Sequence, residues 1–148
     1  MYLTEAYLQS ALGTEEVAKW CPTAGELATT IELAEAEVEA ALRVGGYTAL
    51  VPPSTFAAIG DVPPAVKLAA VRSWLILAHD RKGIPVEKDT LDGWRRPILD
   101  LREGLIEIDS PVDTTRAPGG VSFTSTATSS DGSPSREPVF AGENMGDF

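Results

Sequence analysis

Few side chains in this sequence are equipped for covalent or acid–base chemistry, and none has a partner nearby in the chain. His79 is the only histidine and Cys21 the only cysteine in 148 residues. Metal centres and acid–base sites recruit several ligands or a partnered imidazole. His79, near the end of a long apolar run, is therefore read as a helix C-terminal capping or interface residue. Cys21 has no Cys or His beside it and is read as a small buried side chain. Glu32, Glu35 and Glu39 recur at steps of three and four, on one face of a helix. With no His or Asp among them, they read as a solvated acidic surface rather than a cation site. Gly45-Gly46 lacks the Gly-Lys-Ser/Thr that a phosphate loop requires. Arg95 and Arg96, with Arg102 further on, make a small basic patch. It is either plain surface or a contact for an acidic partner or DNA phosphate. Neither catalytic residues nor metal ligands nor a cofactor site emerge from this set, and the expectation is that the chain is not an enzyme.

The elements that would position these residues are legible as helices. The stretch Val62-Pro-Pro-Ala-Val-Lys-Leu through Gly83 is the organising one. Prolines suit the first helical turn, where no N–H is needed. Gly83 closes the stretch after Arg81 and Lys82, cations placed at the negative end of the helix dipole. Between them Val66, Leu68, Ala69, Ala70, Val71, Trp74, Leu75, Ile76, Leu77 and Ala78 leave almost no polar face, which predicts a central helix wrapped by others. Lys67 and Arg72 interrupt the run, which is too short for a membrane span.

Upstream, Thr4 predicts an N-cap and Gly13 a C-cap for a short helix, and Thr14 a cap for a second one ending at Trp20. Thr23-Ala-Gly-Glu26 has the spacing of a capping box. It opens a long helix to about Val44, with Leu27, Ile31, Ala34, Val38 and Ala41 or Leu42 forming one buried stripe. Gly45-Gly46 breaks it. Tyr47 to Asp61 carries Pro52, Pro53 and Gly60 and predicts a structured loop, with Ala49-Leu50-Val51 a candidate strand. Asp89 is a candidate cap for a last helix that places Leu91, Trp94, Ile98, Leu101 and Leu105 on one side. Pro97 must kink or split that helix. Trp20, Trp74 and Trp94 fall at helical positions and are assigned to the core.

The chain carries a net charge of −10, from 22 acidic and 12 basic residues. Residues 1–61 hold nine of the acids and two of the bases, whereas 62–110 balance. Such a chain is a poor binder of nucleic-acid phosphates. The lone cysteine excludes a disulfide within the chain. The opening Met-Tyr-Leu-Thr-Glu lacks the basic and apolar regions of a signal peptide.

At Ser110-Pro111 the composition changes to Ser, Thr, Gly, Pro and Asp. Residues 1–109 are expected to form a helical domain, and 110–148 an extended tail that orders only on a partner. The alternation in Val121-Ser-Phe123-Thr-Ser predicts a strand formed against that partner. Val139, Phe140, Met145 and Phe148 are the other docking anchors, since Phe and Met are enriched in interface cores. Fully extended, the tail spans on the order of 120 Å at about 3.3 Å per residue. The fold class expected is mainly α: a small helical bundle around a central apolar helix, with a long C-terminal tail.

One ordered set of features runs through the whole chain. It begins Met-Tyr-Leu-Thr-Glu-Ala-Tyr-Leu…Leu-Gly-Thr-Glu-Glu and continues with Ala41-Leu-Arg-Val-Gly-Gly-Tyr-Thr-Ala-Leu-Val-Pro52 and Val62-Pro-Pro-Ala-Val-Lys-Leu-Ala. It ends with Trp94…Leu101…Gly104-Leu-Ile-Glu-Ile108 and Val139-Phe140…Met145-Gly-Asp-Phe148. In this order the features resemble the Mu-like phage head–tail connector family, related in fold to the adaptor proteins of long-tailed phages. The resemblance implies a structural virion protein at the neck, assembled in the host cytoplasm. It implies a ring of copies, commonly twelve, beneath the portal protein. The ring extends the DNA channel and presents a surface to a stopper or tail-completion protein. Genomic DNA would pass through without sequence-specific binding, and no membrane is involved. Under that resemblance Glu32, Glu35, Glu39 and Tyr47 are candidates for the channel wall, where negative charge lets DNA slide. A second class fits the same composition: a helical regulatory or antitoxin-type protein whose tail folds on a partner enzyme.

Overall fold

The computed structural model describes residues 1–108. Within them the chain is mainly helical, with five α-helices and no strand among the described residues. The tail anchors Val121, Phe123, Val139, Phe140, Met145 and Phe148, and the boundary at 109/110, lie outside the described residues.

Helix α1 (Glu5–Leu12) starts where Thr4 Oγ1 accepts the Tyr7 N–H at 3.2 Å, as the sequence predicts. It stops at Gly13, whose φ of 94° a side chain would resist. Helix α2 (Thr14–Trp20) begins one residue earlier than expected. Thr14 is its first residue rather than its cap, and Gly13 takes the cap position without a side-chain bond. Helix α3 (Ala24–Val44) has the full capping box, with Thr23 and Glu26 each serving the other's backbone N–H. Its inward stripe is Leu27, Thr30, Ala34, Val38, Ala41 and Leu42.

Helix α4 (Pro64–Lys82) is the centre of the bundle. Val66, Ala69, Ala70, Val71, Ser73, Trp74, Leu75, Ile76 and Ala78 are all buried, so almost every side of it is covered. It packs along α3 and α5, and α3 also packs on α5, while α1 and α2 close one end. Leu68 departs from the all-round pattern and is exposed. Gly83 ends α4 in the left-handed conformation, with the Ile84 N–H returning to the His79 carbonyl.

Helix α5 (Lys88–Arg102) is capped from Glu87, so Asp89 sits inside its first turn instead of capping it. There its charge still favours the helix dipole. Pro97 lies inside α5 without splitting it. The carbonyl it leaves unserved belongs to Gly93, which is exposed, so water can satisfy it. After Glu103, Gly104 (φ 68°) reverses the chain, and the Leu105 N–H bonds the Asp100 carbonyl. Leu105, placed on the inward side by the helical spacing, falls beyond this reversal and is exposed.

The loop from Tyr47 to Asp61 is not a strand at Ala49–Val51. It is three short 3-10 turns, Thr48–Leu50, Pro53–Thr55 and Ile59–Asp61. Its apolar residues point inward: Leu50 and Phe56 are core. The Tyr2 hydroxyl donates to the Leu50 carbonyl at 2.7 Å, and the Met1 amine donates to the Pro53 carbonyl. A strand would have needed a neighbouring strand to serve its backbone, and the bundle offers none.

Candidate functional site

The chemistry-bearing residues fall at three places, and most of them are engaged in contacts within the bundle. At the first, the last turns of α2 and α4 meet the second turn of α5. His79 stacks on Trp20 with ring centroids 3.8 Å apart, and Trp94 stands 5.1 Å away on another side. The Trp20 Nε1–H donates to Glu16 Oε1 at 2.7 Å, and the Lys19 ammonium lies 5.1 Å from the Trp20 ring. His79 Nδ1 is buried without a hydrogen-bond partner. Burial lowers the imidazole pKa, Lys19 adds to that, and Glu16 and Asp80 oppose it. The expected capping role is thus corrected. It is the His79 carbonyl that meets a helix end, while the ring is an aromatic spacer between two tryptophans. A general base needs an approach for the proton it removes, and this ring has indoles around it.

At the second place Cys21 is buried, as the sequence suggested, with Sγ 3.7 Å from Thr30 Oγ1. Thr30 Oγ1 donates to the Glu26 carbonyl, and the Arg81 guanidinium reaches Thr30 Oγ1 at 3.0 Å and the Glu26 carbonyl at 3.2 Å. The cluster staples α3 to the end of α4. Nearer the middle of the same pair, the fully buried Ser73 hydroxyl donates to the Glu37 carboxylate.

At the third place the acidic face of α3 divides. Glu32 is exposed. Glu35 Oε1 accepts the backbone N–H groups of Tyr2 and Leu3 and so ties residues 1–3 onto α3. Glu39 pairs with Arg43, at 3.0 Å from Nε. Burial, with Glu39 and Glu35 beside it, raises the Tyr2 phenol well above its ordinary value, which keeps it a neutral donor. Among the described residues no group of three His, Cys, Asp or Glu could hold a metal ion. Tyr47, named with these glutamates as a channel-wall candidate, is buried. Its hydroxyl donates to the Ile106 carbonyl at 2.6 Å and accepts the Ile106 N–H at 3.1 Å. A phenol bound on both sides inside the fold does not line a channel, so Tyr47 leaves that set. Glu35 and Glu39 are half-buried and engaged, which leaves Glu32 as the open member.

Arg95 and Arg96 are both exposed, but Arg96 Nε is 2.9 Å from Asp100 Oδ1. The pair is therefore half neutralised, and an exposed ion pair of this kind is worth under about 1 kcal/mol.

The sequence reading passed over a second face of α3. Leu33, Ala36, Ala40 and Val44 follow one another at steps of three and four, and all are exposed. Towards the C-terminal end this face joins a groove of about 220 Å³ between α3 and α5, lined by Glu37, Ala40, Ala41, Val44, Ile98 and Arg102. Val44 is 65% exposed, and Leu99 and Leu105 on the bordering segment are 42% and 60% exposed. The signal was present as a second apolar period offset from the core stripe. It was masked because alanine is as common on helix surfaces as inside them. No protein family matches this chain, no curated protein matches it, and no solved structure matches its fold.

Proposed function

We propose that this chain is a structural adaptor of the Mu-like head–tail connector type. Copies of it form a ring beneath a portal protein, commonly of twelve, that extends the DNA channel and receives a stopper or tail-completion protein at the neck of the virion. The observation that carries the reading is the ordered set of sequence features from Met1 to Phe148. Two structural features support it. Polar groups such as Arg81, Thr30, Ser73 and Glu37 join α3 to α4 into one rigid unit. And α3 presents an unpaired apolar face, Leu33, Ala36, Ala40 and Val44, to the outside, as a subunit needs for a heterologous contact. Glu32 is the acid of that set that remains open for a channel wall. The tail anchors are assigned to partner docking.

The test is an affinity purification of the tagged full-length chain from induced or infected source cells. Co-purification of a portal protein or of intact heads is the expected result. Recovery of one small soluble enzyme, with no capsid component, would overturn the proposal in favour of a regulatory protein. Deleting Glu137 to Phe148 is expected to leave the helical domain folded and to abolish attachment.

A further inference from the structure

The groove between α3 and α5 is positioned to hold a segment of the chain itself. It combines an apolar floor, from Ala40, Ala41 and Ile98, with the 65% exposed Val44, the Glu37 carboxylate, which already accepts the Ser73 hydroxyl, and the cation of Arg102. Four of the seven large hydrophobics that stand exposed among the described residues, Leu33, Val44, Leu99 and Leu105, lie on the two segments that border it, and Val44 lines the groove itself. Apolar exposure concentrated in this way marks a contact surface. Arg102 is exposed and forms no ion pair among the described residues. The chain is also held here. The Tyr47 hydroxyl binds Ile106 through both its backbone groups, so the described chain ends at Ile108 beside α5. Arg102 is six residues before Ile108, which puts the groove within about 22 Å of that point.

We infer that the groove receives the segment Val139–Phe148 of the same chain. That segment supplies Val139, Phe140, Met145 and Phe148 for the apolar floor, and Glu143 and Asp147, with no base, for Arg102. The 30 residues from 109 to 138 separate it from Ile108. Thirty residues reach up to about 100 Å at roughly 3.3 Å each, so the segment can arrive at the groove, and as part of the same chain it does so at an effective concentration in the millimolar range. A second copy at micromolar concentration competes poorly with it. The inference does not depend on the connector reading, since it concerns the free chain alone.

The experiment places a photo-crosslinking benzoylphenylalanine at Val44 in the full-length chain, with Leu68, exposed on α4, as the control site. The expected result is an adduct of monomer mass joining position 44 to residues 139–148, absent from the control. An adduct of dimer mass, or one joined elsewhere in the chain, overturns the assignment. A second variant, Ala40→Glu, charges the groove floor at an exposed position and leaves the core intact. It is expected to speed chymotryptic cleavage after Phe140 by about tenfold, the population change that follows from withdrawing one buried aromatic side chain. Equal cleavage in the variant and the parent also overturns the inference.

Discussion

Gly45→Ala should destabilise this protein, against the ordinary expectation for its backbone. Gly45 sits at the end of α3 with φ −73° and ψ −5°, a conformation that any residue adopts. On propensity alone alanine there would gain about 0.5–1 kcal/mol. The tertiary structure reverses the sign. A Cβ at Gly45 would lie 1.9 Å from the Leu101 carbonyl oxygen and 2.9 Å from Tyr47 Cε2. An ordinary contact begins near 3.4 Å, so α5 must retreat by about 1.5 Å. The obstacle is backbone and no rotamer change relieves it. The retreat loosens Leu101, which is fully buried, and Ile98 next to it. Overpacking of this kind costs about 1–3 kcal/mol, and a gap of about 1.5 Å forfeits more than half of the dispersion contact across the interface. With the cost at the upper end and propensity subtracted, the net loss is about 2 kcal/mol, or roughly 10 °C in Tm. Urea unfolding followed by circular dichroism measures it, with Gly25→Ala as the control. Gly25 lies in the first turn of α3 with nothing within 4 Å of a new Cβ, and alanine there should stabilise by about 0.5–1 kcal/mol. If Gly45→Ala proved as stable as the parent while the control behaved as stated, the close approach of α3 and α5 would be refuted.

Three further outcomes follow from single contacts. His79 is held neutral by burial, so its folded pKa lies below the ordinary value of about 6.5. The unfolded chain then takes up the proton first. This contribution is complete above about pH 6.5 and is lost as pH falls below it. Urea midpoints measured at about pH 7.5 and pH 5 should differ less in His79→Gln than in the parent, and equal differences would contradict the assignment. Tyr47→Phe removes the donor to the Ile106 carbonyl and the acceptor of its N–H. A loss of about 1–3 kcal/mol is expected, with faster hydrogen exchange at the Ile106 amide. Glu35→Ala strips the acceptor from the Tyr2 and Leu3 amides. It should speed exchange at both amides and leave those of α4 unchanged, because no α4 backbone group depends on that carboxylate.

Local chemistry within a few residues determined most of the helical outline. The Thr23–Glu26 capping box, Thr4 at α1, the prolines opening α4 and the glycines closing α1, α3, α4 and α5 act through bonds and torsions that the adjacent sequence specifies. The all-round apolar run of α4 likewise demanded a central position, because no one-sided packing could bury it. Where the sequence reading failed, the deciding partner was distant in the chain. Ala49–Val51 has strand character but became a 3-10 turn because it met a helical bundle and the Tyr2 hydroxyl, 48 residues away from Leu50. Tyr47 looked like a surface residue of a loop until Ile106, 59 residues on, took both sides of its hydroxyl. His79 could have ended a helix in many ways, and only the arrival of Trp20 and Trp94 made its ring a spacer. Gly45 and Gly46 read alike as helix breakers, yet they are glycines for different reasons. Gly46 has φ 85°, a torsion that neighbouring residues set, whereas Gly45 has ordinary torsions and a carbonyl of α5 against it. The sequence by itself therefore determined which segments are helical and which helix lies at the centre, since torsion and hydrophobic period are local quantities. The tertiary structure alone decided which side chains remain free to meet a partner, because that depends on what the rest of the chain has already covered.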